Sequence, residues 1–303
     1  MHTREIEKNL FLVDLETGGF KNLIASYVLT GKQTTIVETG PSSSIPNLLS
    51  GLKELDVKPE DVAYVALSHV HLDHGGGTGT LLKFLPNAKV LVHPRGVPHL
   101  VNPERLWLQS KEVLGLVAEI FGEPEAVPED RIIAAYDGMT WDVGKNRRLT
   151  AVETLGHASH NLSYYEPLYG GIFSGDTAGI YLCEFGVVVP TTPPPFHLDA
   201  ALASLDKLAS LKPSALYYSH FGRVSDPINR LQDHALQLRL WGKVAKEEIG
   251  KKHGLKEVQE RIFVEDKIMQ KLAGFIRSHP IYAEVIIGNS VQGFIDFAEK
   301  SRT

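Results

Sequence analysis

Three histidines and an aspartate lie within the short segment SHVHLDHGG, and both residue types are common metal ligands. His69 and His71 are two residues apart, so in an extended backbone their imidazoles point to the same side and can bind one ion. Asp73 and His74 follow the end of a predicted strand, where the backbone can turn and direct them at a second ion. The glycines at 75–77 carry no side chains, so this turn can lie close to both ions.

His157, Asp176 and His220 are three further candidate ligands, and each follows an apolar run that predicts a buried strand. The first motif also follows such a run. Sites in open α/β sheets lie beyond the carboxyl ends of the strands, so we expect these groups to meet there. A single histidine or aspartate is more often structural, but together these residues supply what a two-metal site needs.

Apolar runs and helical patterns alternate as far as residue 225, which predicts an α/β fold. The predicted strands are 24–29, 35–38, 62–67, 89–92, 149–154, 171–173 and 215–218, with a hairpin at 137–144. The predicted helices are 46–55, 79–84, 103–121, 198–211, 227–248, 255–277 and 280–300. We therefore expect a catalytic domain, 1–225, and a helical C-terminal extension, 226–303.

The composition is that of an ordinary globular protein, with 43% apolar and 22% charged residues. No apolar run is long enough to cross a bilayer, so no membrane partner is expected, and the charged N-terminus does not resemble a signal peptide. Cys183 is the single cysteine, which favours a cytoplasmic location. The net charge of −5 and the scattered basic residues argue against nucleic acid as a partner, so we expect a small-molecule substrate.

The chain resembles the metallo-β-lactamase superfamily in four segments, SHVHLDHGG, TLGHASHN, FSGDTAG and YSHFG, in matching order and spacing. The resemblance implies an αββα sandwich with the site at one edge, between the two sheets. It also implies a ligand set for two ions. His69, His71 and His157 would bind the first ion, Asp73, His74 and His220 the second, and Asp176 both.

One departure from the superfamily lies in the loop after an early hairpin. Members usually carry Asp-x-Gly there, whereas this chain has Glu38-Thr39-Gly40. We expect the longer carboxylate of Glu38 to support a metal ligand from outside, as an aspartate would. His160, three residues after His157, is expected to play a similar supporting role.

Two divalent ions about 3.5–4 Å apart can share a hydroxide and lower the pKa of its parent water to near 7. This hydroxide would be the nucleophile, and Asp73 would orient it or move a proton besides binding its ion. Mixed imidazole and carboxylate ligands suit zinc, iron, manganese or cobalt, and we favour zinc for a hydrolase.

The β-lactamase subgroups of the superfamily lack the bridging aspartate, so Asp176 argues against a dedicated β-lactamase. The full ligand set is more similar to glyoxalase II, the acyl-homoserine lactonases and the phosphoesterase members. We therefore expect hydrolysis of small esters, namely thioesters, lactones or phosphoesters. Tyr181, Phe185 and Phe196 lie in or next to the loop at 176–195 and are candidates for an apolar substrate wall, or else they pack the loop.

Two alternatives come from other functional classes. An iron-dependent sulfur dioxygenase would need one iron, bound by two histidines and an aspartate, and such residues are present. A catalytically silent metal-binding interaction protein is the other alternative. The C-terminal run 280–297 is apolar enough to require burial, and it could cover the pocket or form a homodimer.

Overall fold

Two β-sheets lie face to face in the computed structural model, which describes residues 2–144, 146–279, 281–282 and 287–301. The first sheet contains, in spatial order, β1 (Thr3–Glu7), β2 (Leu10–Asp14), β3 (Ala25–Leu29), β4 (Thr34–Val37), β5 (Val62–Ala66), β6 (Lys89–Val92) and β7 (Ile132–Ala134). Its first four strands are antiparallel, and β4 to β7 are parallel.

The second sheet contains β8 (Thr140–Gly144), β9 (Arg147–Glu153), β10 (Leu162–Glu166), β11 (Gly171–Gly175), β14 (Ala215–Tyr218) and β15 (Gly222–Val224). Their spatial order is β15-β14-β11-β10-β9-β8, and the β11–β14 pair is parallel whereas the other pairs are antiparallel. A small separate hairpin is formed by β12 (Ile180–Leu182) and β13 (Val187–Val189).

Aromatic side chains fill the space between the two sheets. The ring of Phe173 lies 5.2 Å from that of Tyr27 and 4.7 Å from that of Tyr217, between ring centroids. The hydroxyl of Tyr27 donates to the carbonyl of Tyr218 at 2.5 Å, so a strand of the first sheet is bonded directly to one of the second. These cross-sheet contacts hold the strand ends of both sheets in fixed relative positions.

Helices cover the outer faces of both sheets, which confirms the predicted αββα sandwich. They are α1 (Ile45–Glu54), α2 (Leu72–Gly75), α3 (Thr78–Leu82), α4 (Val97–Val101), α5 (Glu104–Leu114), α6 (Leu116–Phe121), α7 (Leu198–Ser210), α8 (Pro227–Gly250), α9 (Leu255–Glu265), α10 (Lys267–Ser278) and α11 (Asn289–Lys300). No helix among the described residues is long and apolar enough to span a membrane.

Three predicted elements differ from the structure. The predicted helix 103–121 is interrupted at Gly115, whose φ of 54° lies in the left-handed region that glycine tolerates. The predicted helix 255–277 is interrupted at Asp266, an extended residue whose side chain caps α10. The predicted hairpin 137–144 is wrong, because residues 140–144 form the single strand β8, which pairs with β9.

The C-terminal helices pack onto the rest of the chain rather than standing apart from it. Phe294 of α11 contacts Phe196 and Trp241, with ring centroids 4.9 and 5.9 Å apart. Most apolar residues of the run 280–297 that the structure describes are buried within this one chain, and Phe297 is partly buried; the buried ones are Ile281, Tyr282, Ile287, Val291, Phe294 and Ile295. Pro280 and residues 283–286 of that predicted helix lie outside the described residues. The burial that this run requires is therefore met within a single chain.

Asp266 joins two of these helices, and its loss should destabilise the protein. One carboxylate oxygen accepts from Gln237 Nε2 and Trp241 Nε1, both at 2.8 Å, and the other accepts from the amides of Ile268 and Met269. We expect Asp266→Ala to lower the free energy of unfolding by about 3 kcal/mol, because these donors would be buried without an acceptor. Urea denaturation followed by circular dichroism measures this loss.

Asp233→Ala is the matched control, since Asp233 is an exposed aspartate on α8. Its effect should stay within about 0.5 kcal/mol. If the two variants unfolded at the same urea concentration, Asp266 would not join α8 to α10.

Candidate metal centre

Three imidazoles meet at the edge of the sandwich where β5 and β9 end. His69 Nε2 lies 2.9 Å from His71 Nδ1, and His157 Nε2 lies 3.0 Å from the same atom. His69 and His157 are buried, and His71 is partly exposed. These three residues, which we call the first cluster, are those predicted to bind the first ion.

A second cluster, Asp73, His74 and His220, lies beside the first. The Nε2 atoms of His74 and His220 are 3.2 Å apart, and Asp73 Oδ2 lies 3.4 Å from His220 Nε2 and 3.8 Å from His74 Nε2. Asp73 and His74 belong to α2, the single helical turn that begins directly after His71. His220 follows the end of β14. These are the residues predicted to bind the second ion.

Asp176 lies between the two clusters. Its Oδ1 is 3.2 Å from His74 Nε2 and 3.6 Å from His220 Nε2, whereas its Oδ2 is 3.4 Å from His157 Nε2. One carboxylate oxygen therefore faces each cluster. The structure thus brings all seven predicted ligand residues together, with Asp176 in the bridging position.

Gly175 allows the chain to place Asp176 at this point. It ends β11 with a φ of 51°, and a Cβ on it would lie 2.5 Å from Cβ of Ser68. Only glycine combines this backbone conformation with so close an approach to the neighbouring segment. The strand can therefore turn directly beside the residue that precedes His69.

Acceptors on the outer side fix the orientation of the imidazoles. Nδ1 of His157 donates to the carbonyl of Thr191, and Nδ1 of His220 donates to the carbonyl of Leu23, both at 2.8 Å. Because a carbonyl only accepts, Nδ1 carries a proton in both rings, and Nε2 is the atom that faces the centre and can offer a lone pair to an ion. His69 Nδ1 lies 2.9 Å from Ser68 Oγ. Sequence reasoning missed these partners, since backbone carbonyls carry no residue-type signal.

Glu38 lies beneath His74, where a supporting carboxylate was predicted. Its Oε2 is 3.4 Å from His74 Nδ1, and its Oε1 accepts from the amide of Ser68 at 3.2 Å. The φ of Glu38 is 67°, a conformation that costs a non-glycine residue about 1–3 kcal/mol. The fold retains this strained residue at a point where its carboxylate holds both a candidate ligand and the strand that leads to the motif.

The donor set fits divalent metal ions. With protons on Nδ1 of His69 and His157 and on Nε2 of His71, lone pairs on Nε2 of His69 and of His157 would lie 2.9 and 3.0 Å from that on Nδ1 of His71, and a cation between them relieves this repulsion. Asp176 Oδ1 is buried, and the nearest groups to it among the described residues are the imidazoles of His74 and His220, themselves candidate ligands. Imidazole and carboxylate ligands together suit zinc, iron, manganese or cobalt.

Burial makes the first cluster neutral. It lowers the pKa of His69, His71 and His157 below the ordinary histidine value, and repulsion from neighbouring imidazoles lowers the pKa of His69 and His71 further. At neutral pH these rings therefore carry no charge, and their lone pairs are available to a cation.

The second cluster has the opposite character. Burial alone would lower the pKa of His74, but the carboxylates of Asp176 and Asp73 outweigh burial and raise it well above the ordinary value. The pKa of His220 is raised as well, since Asp176 and Asp73 outweigh the effect of its burial. Although burial opposes ionisation, His74 and His220 lower the pKa of Asp73 to about 2. Without metal, this cluster therefore holds protons between carboxylates and imidazoles.

The three predicted substrate residues lie at different depths. Tyr181 is partly exposed on β12, and its backbone bonds with those of His220 and Phe221. Phe185, 46% exposed, contacts Phe275 of α10 with ring centroids 4.9 Å apart. Phe196 is 3% exposed and lines a narrow cavity behind His157. The structure does not gather these three into one wall.

His160, which was expected to support the site, lies beside the first cluster. Its ring centroid is 5.8 Å from that of His71 and 6.2 Å from that of His69. Burial and the neighbouring imidazoles of His99 and His157 lower its pKa to about 4. It is therefore neutral at physiological pH and adds no charge to the cluster.

Sequence comparison identifies one family for most of this region. The sequence profile of the metallo-β-lactamase superfamily matches residues 21–220. A metallo-β-lactamase fold-containing protein of Sulfurisphaera tokodaii is 32% identical over 235 residues, which cover 76% of this chain and 82% of the relative.

Two further proteins are similar to the chain in different ways. The structure of a metallo-β-lactamase family protein from Thermus thermophilus has a TM-score of 0.73 at 20% identity, covering 98% of this chain and 95% of that one. This likeness concerns the fold. An N-acyl homoserine lactonase of Azorhizobium caulinodans is 31% identical over 113 residues, which are 37% of this chain and 39% of the relative.

The different charge of the two clusters predicts a different pH dependence for metal binding to each of them. An ion that enters the second cluster must displace protons from His74 and His220, because their pKa values are raised. We therefore expect Zn²⁺ binding to the second cluster to weaken as the pH falls below neutral, and Zn²⁺ binding to the first cluster to depend less on pH. Calorimetric titration in buffers of different ionisation enthalpy counts the protons released by each ion. Equal release by both ions would contradict the assignment.

Proposed function

The chain belongs to the metallo-β-lactamase superfamily, and we propose that it is a dinuclear metal-dependent hydrolase of small esters. The observation that carries this proposal is the position of Asp176, with one carboxylate oxygen facing each cluster. A carboxylate in this position can hold two ions at the separation that two-metal hydrolases use, about 3.5–4 Å. We further propose zinc as the native metal.

The bound ions would supply a hydroxide nucleophile and polarise the carbonyl or phosphoryl oxygen under attack. The protein's own contribution is proposed to come from Asp73. Its low pKa keeps the carboxylate ionised at neutral pH, and a quarter of its side chain is exposed. It can therefore accept a hydrogen bond from the nucleophile and move a proton toward the leaving group.

The exposure of the seven candidate ligands indicates where a substrate would approach. His71 and Asp73 are partly exposed, whereas the other five are buried. The substrate would thus meet the centre on the face that these two residues share. Cys183 is a poor alternative nucleophile, because burial and the carboxylate of Glu184 raise the pKa of its thiol.

We propose thioesters, lactones or phosphoesters as the substrate class. The intact bridging Asp176 favours these over β-lactams, as the resemblance implies, and the partial similarity to an acyl-homoserine lactonase supports the lactone. Tyr181 and Phe185 are the proposed apolar contacts, since both are partly or largely exposed on the hairpin bonded to His220. Phe196, which lines the narrow cavity behind His157, would contact the substrate from that side. The single cysteine supports a reducing, cytoplasmic setting.

A hydrolysis panel on Zn²⁺-loaded protein tests this proposal. The panel contains a glutathione thioester, an acyl-homoserine lactone, a phosphodiester, a phosphotriester and a β-lactam, each with and without chelator. We expect turnover of at least one ester to be abolished by the chelator. Asp73→Ala should lower kcat/KM on that ester by about 10²–10⁴-fold, and His71→Ala by a similar factor.

His253→Ala is the control, because His253 is an exposed histidine of the C-terminal extension. Its kcat/KM should match that of the unchanged protein. Full activity in Asp73→Ala would refute the assigned site. A protein that hydrolyses nothing in the panel but consumes oxygen with a persulfide when loaded with iron would be a sulfur dioxygenase instead.

A further inference from the structure

The carbonyl that orients His157 belongs to a segment bonded to the last helix of the chain. Thr191 supplies that carbonyl, and the next residue, Thr192, bonds to Ser290 twice. The Thr192 amide donates to Ser290 Oγ at 3.2 Å, and the Thr192 hydroxyl donates to the Ser290 carbonyl at 2.9 Å. Ser290 Oγ donates in turn to the carbonyl of Pro190 at 3.2 Å. One serine therefore holds the segment on both sides of Thr191.

The sequence of this segment leaves few other ways to hold it. Residues 190–195 read PTTPPP, so only Thr191 and Thr192 carry an amide hydrogen. Of these two amides, that of Thr192 is bound by Ser290 Oγ. The side chains of Thr192 and Ser290 are buried, at 2% and 1% exposure, so water would not readily replace these bonds.

The helix α11 is also shaped to approach this segment closely. A Cβ on Gly293 would overlap the carbonyl oxygen of Thr192, so a side chain at this position would push the helix away. Phe294, the next residue, packs against Phe196 on the far side of the prolines, with ring centroids 4.9 Å apart. Close packing and hydrogen bonding thus act together at one contact between α11 and the segment.

We infer that Ser290 is a positioning residue for His157 and that α11 forms part of the support of the first cluster. The bonds run from Ser290 through Thr192 and Thr191 to His157 Nδ1, and so direct His157 Nε2 at the first ion. Ser290 lies well beyond residues 21–220, where the family profile matches. The inference rests on the proposed binding of metal by the first cluster, but not on the reaction or substrate.

The second cluster provides an internal comparison. His220 Nδ1 donates to the carbonyl of Leu23, and His74 Nδ1 faces Glu38, so neither imidazole is held through α11. Loss of the Ser290 bonds should therefore weaken metal binding at the first cluster and leave binding at the second unchanged. A general loss of stability would instead weaken metal binding at both clusters.

The experiment is a titration with Zn²⁺ against a competing chelator, which gives two dissociation constants, repeated with Co²⁺ to follow its visible absorption. His157→Ala identifies the constant that belongs to the first cluster. We expect Ser290→Ala to raise that constant about tenfold and to leave the other within about twofold. Thr192→Val, which keeps the shape of the side chain but removes its hydroxyl, should act in the same direction.

Two control variants separate this role from simple packing. Thr192→Ser keeps the hydroxyl and should retain the affinity for the first ion. Ser301→Ala removes a hydroxyl at the other end of α11, one that donates to the carbonyl of Phe297, and should change neither constant.

Two outcomes would overturn the inference: unchanged constants in Ser290→Ala and Thr192→Val, or both constants raised equally with a lowered Tm. Selective loss of the first ion would support it, even if the unchanged protein hydrolysed no ester. Absence of ester hydrolysis by the unchanged protein would count against the proposed function alone.

Discussion

The structure depends on one requirement of a buried imidazole that is to bind a metal. One ring nitrogen must face the centre with a free lone pair, and the other must have an acceptor outside it. Water cannot fill the second role for His69, His157 or His220, because these side chains are nearly or fully buried. The fold must therefore supply each outer partner from the protein, and it does so from separate parts of the chain.

These partners explain why so much of the chain is involved in a small centre. His220 depends on the carbonyl of Leu23, in the connection between β2 and β3, and His157 depends on Thr191, in the segment before α7. A connection of the first sheet thus supports His220, and the segment after the β12–β13 hairpin supports His157, although both histidines follow strands of the second sheet. The cross-sheet bond from Tyr27 to the carbonyl of Tyr218, two residues before His220, keeps such partners in register.

Local patterns in the sequence were sufficient to predict an α/β fold and the residues that meet in the centre, whereas the sandwich and the division of the ligands between two ions came from the resemblance to the superfamily. Apolar runs mark buried strands, and ligand residue types mark the strand ends, so both signals are local. The outer partners could not be predicted in this way, since Leu23 and Thr191 act through carbonyls that every residue carries. The break at Gly115 and the close approach at Gly293 depend on backbone conformation and on a distant segment, which spacing along the chain does not report.

The two clusters differ in charge and also in the part of the protein that supports them. The first is neutral and is held from the proline-rich segment, whereas the second is charged and is held from the β2–β3 connection and by Glu38. A substitution in the C-terminal helices can therefore affect the first cluster without changing the partners that orient the second. The C-terminal extension lies beyond the residues that the family profile matches, so a change in it is placed to affect the first cluster, while Asp176 links that cluster to the second.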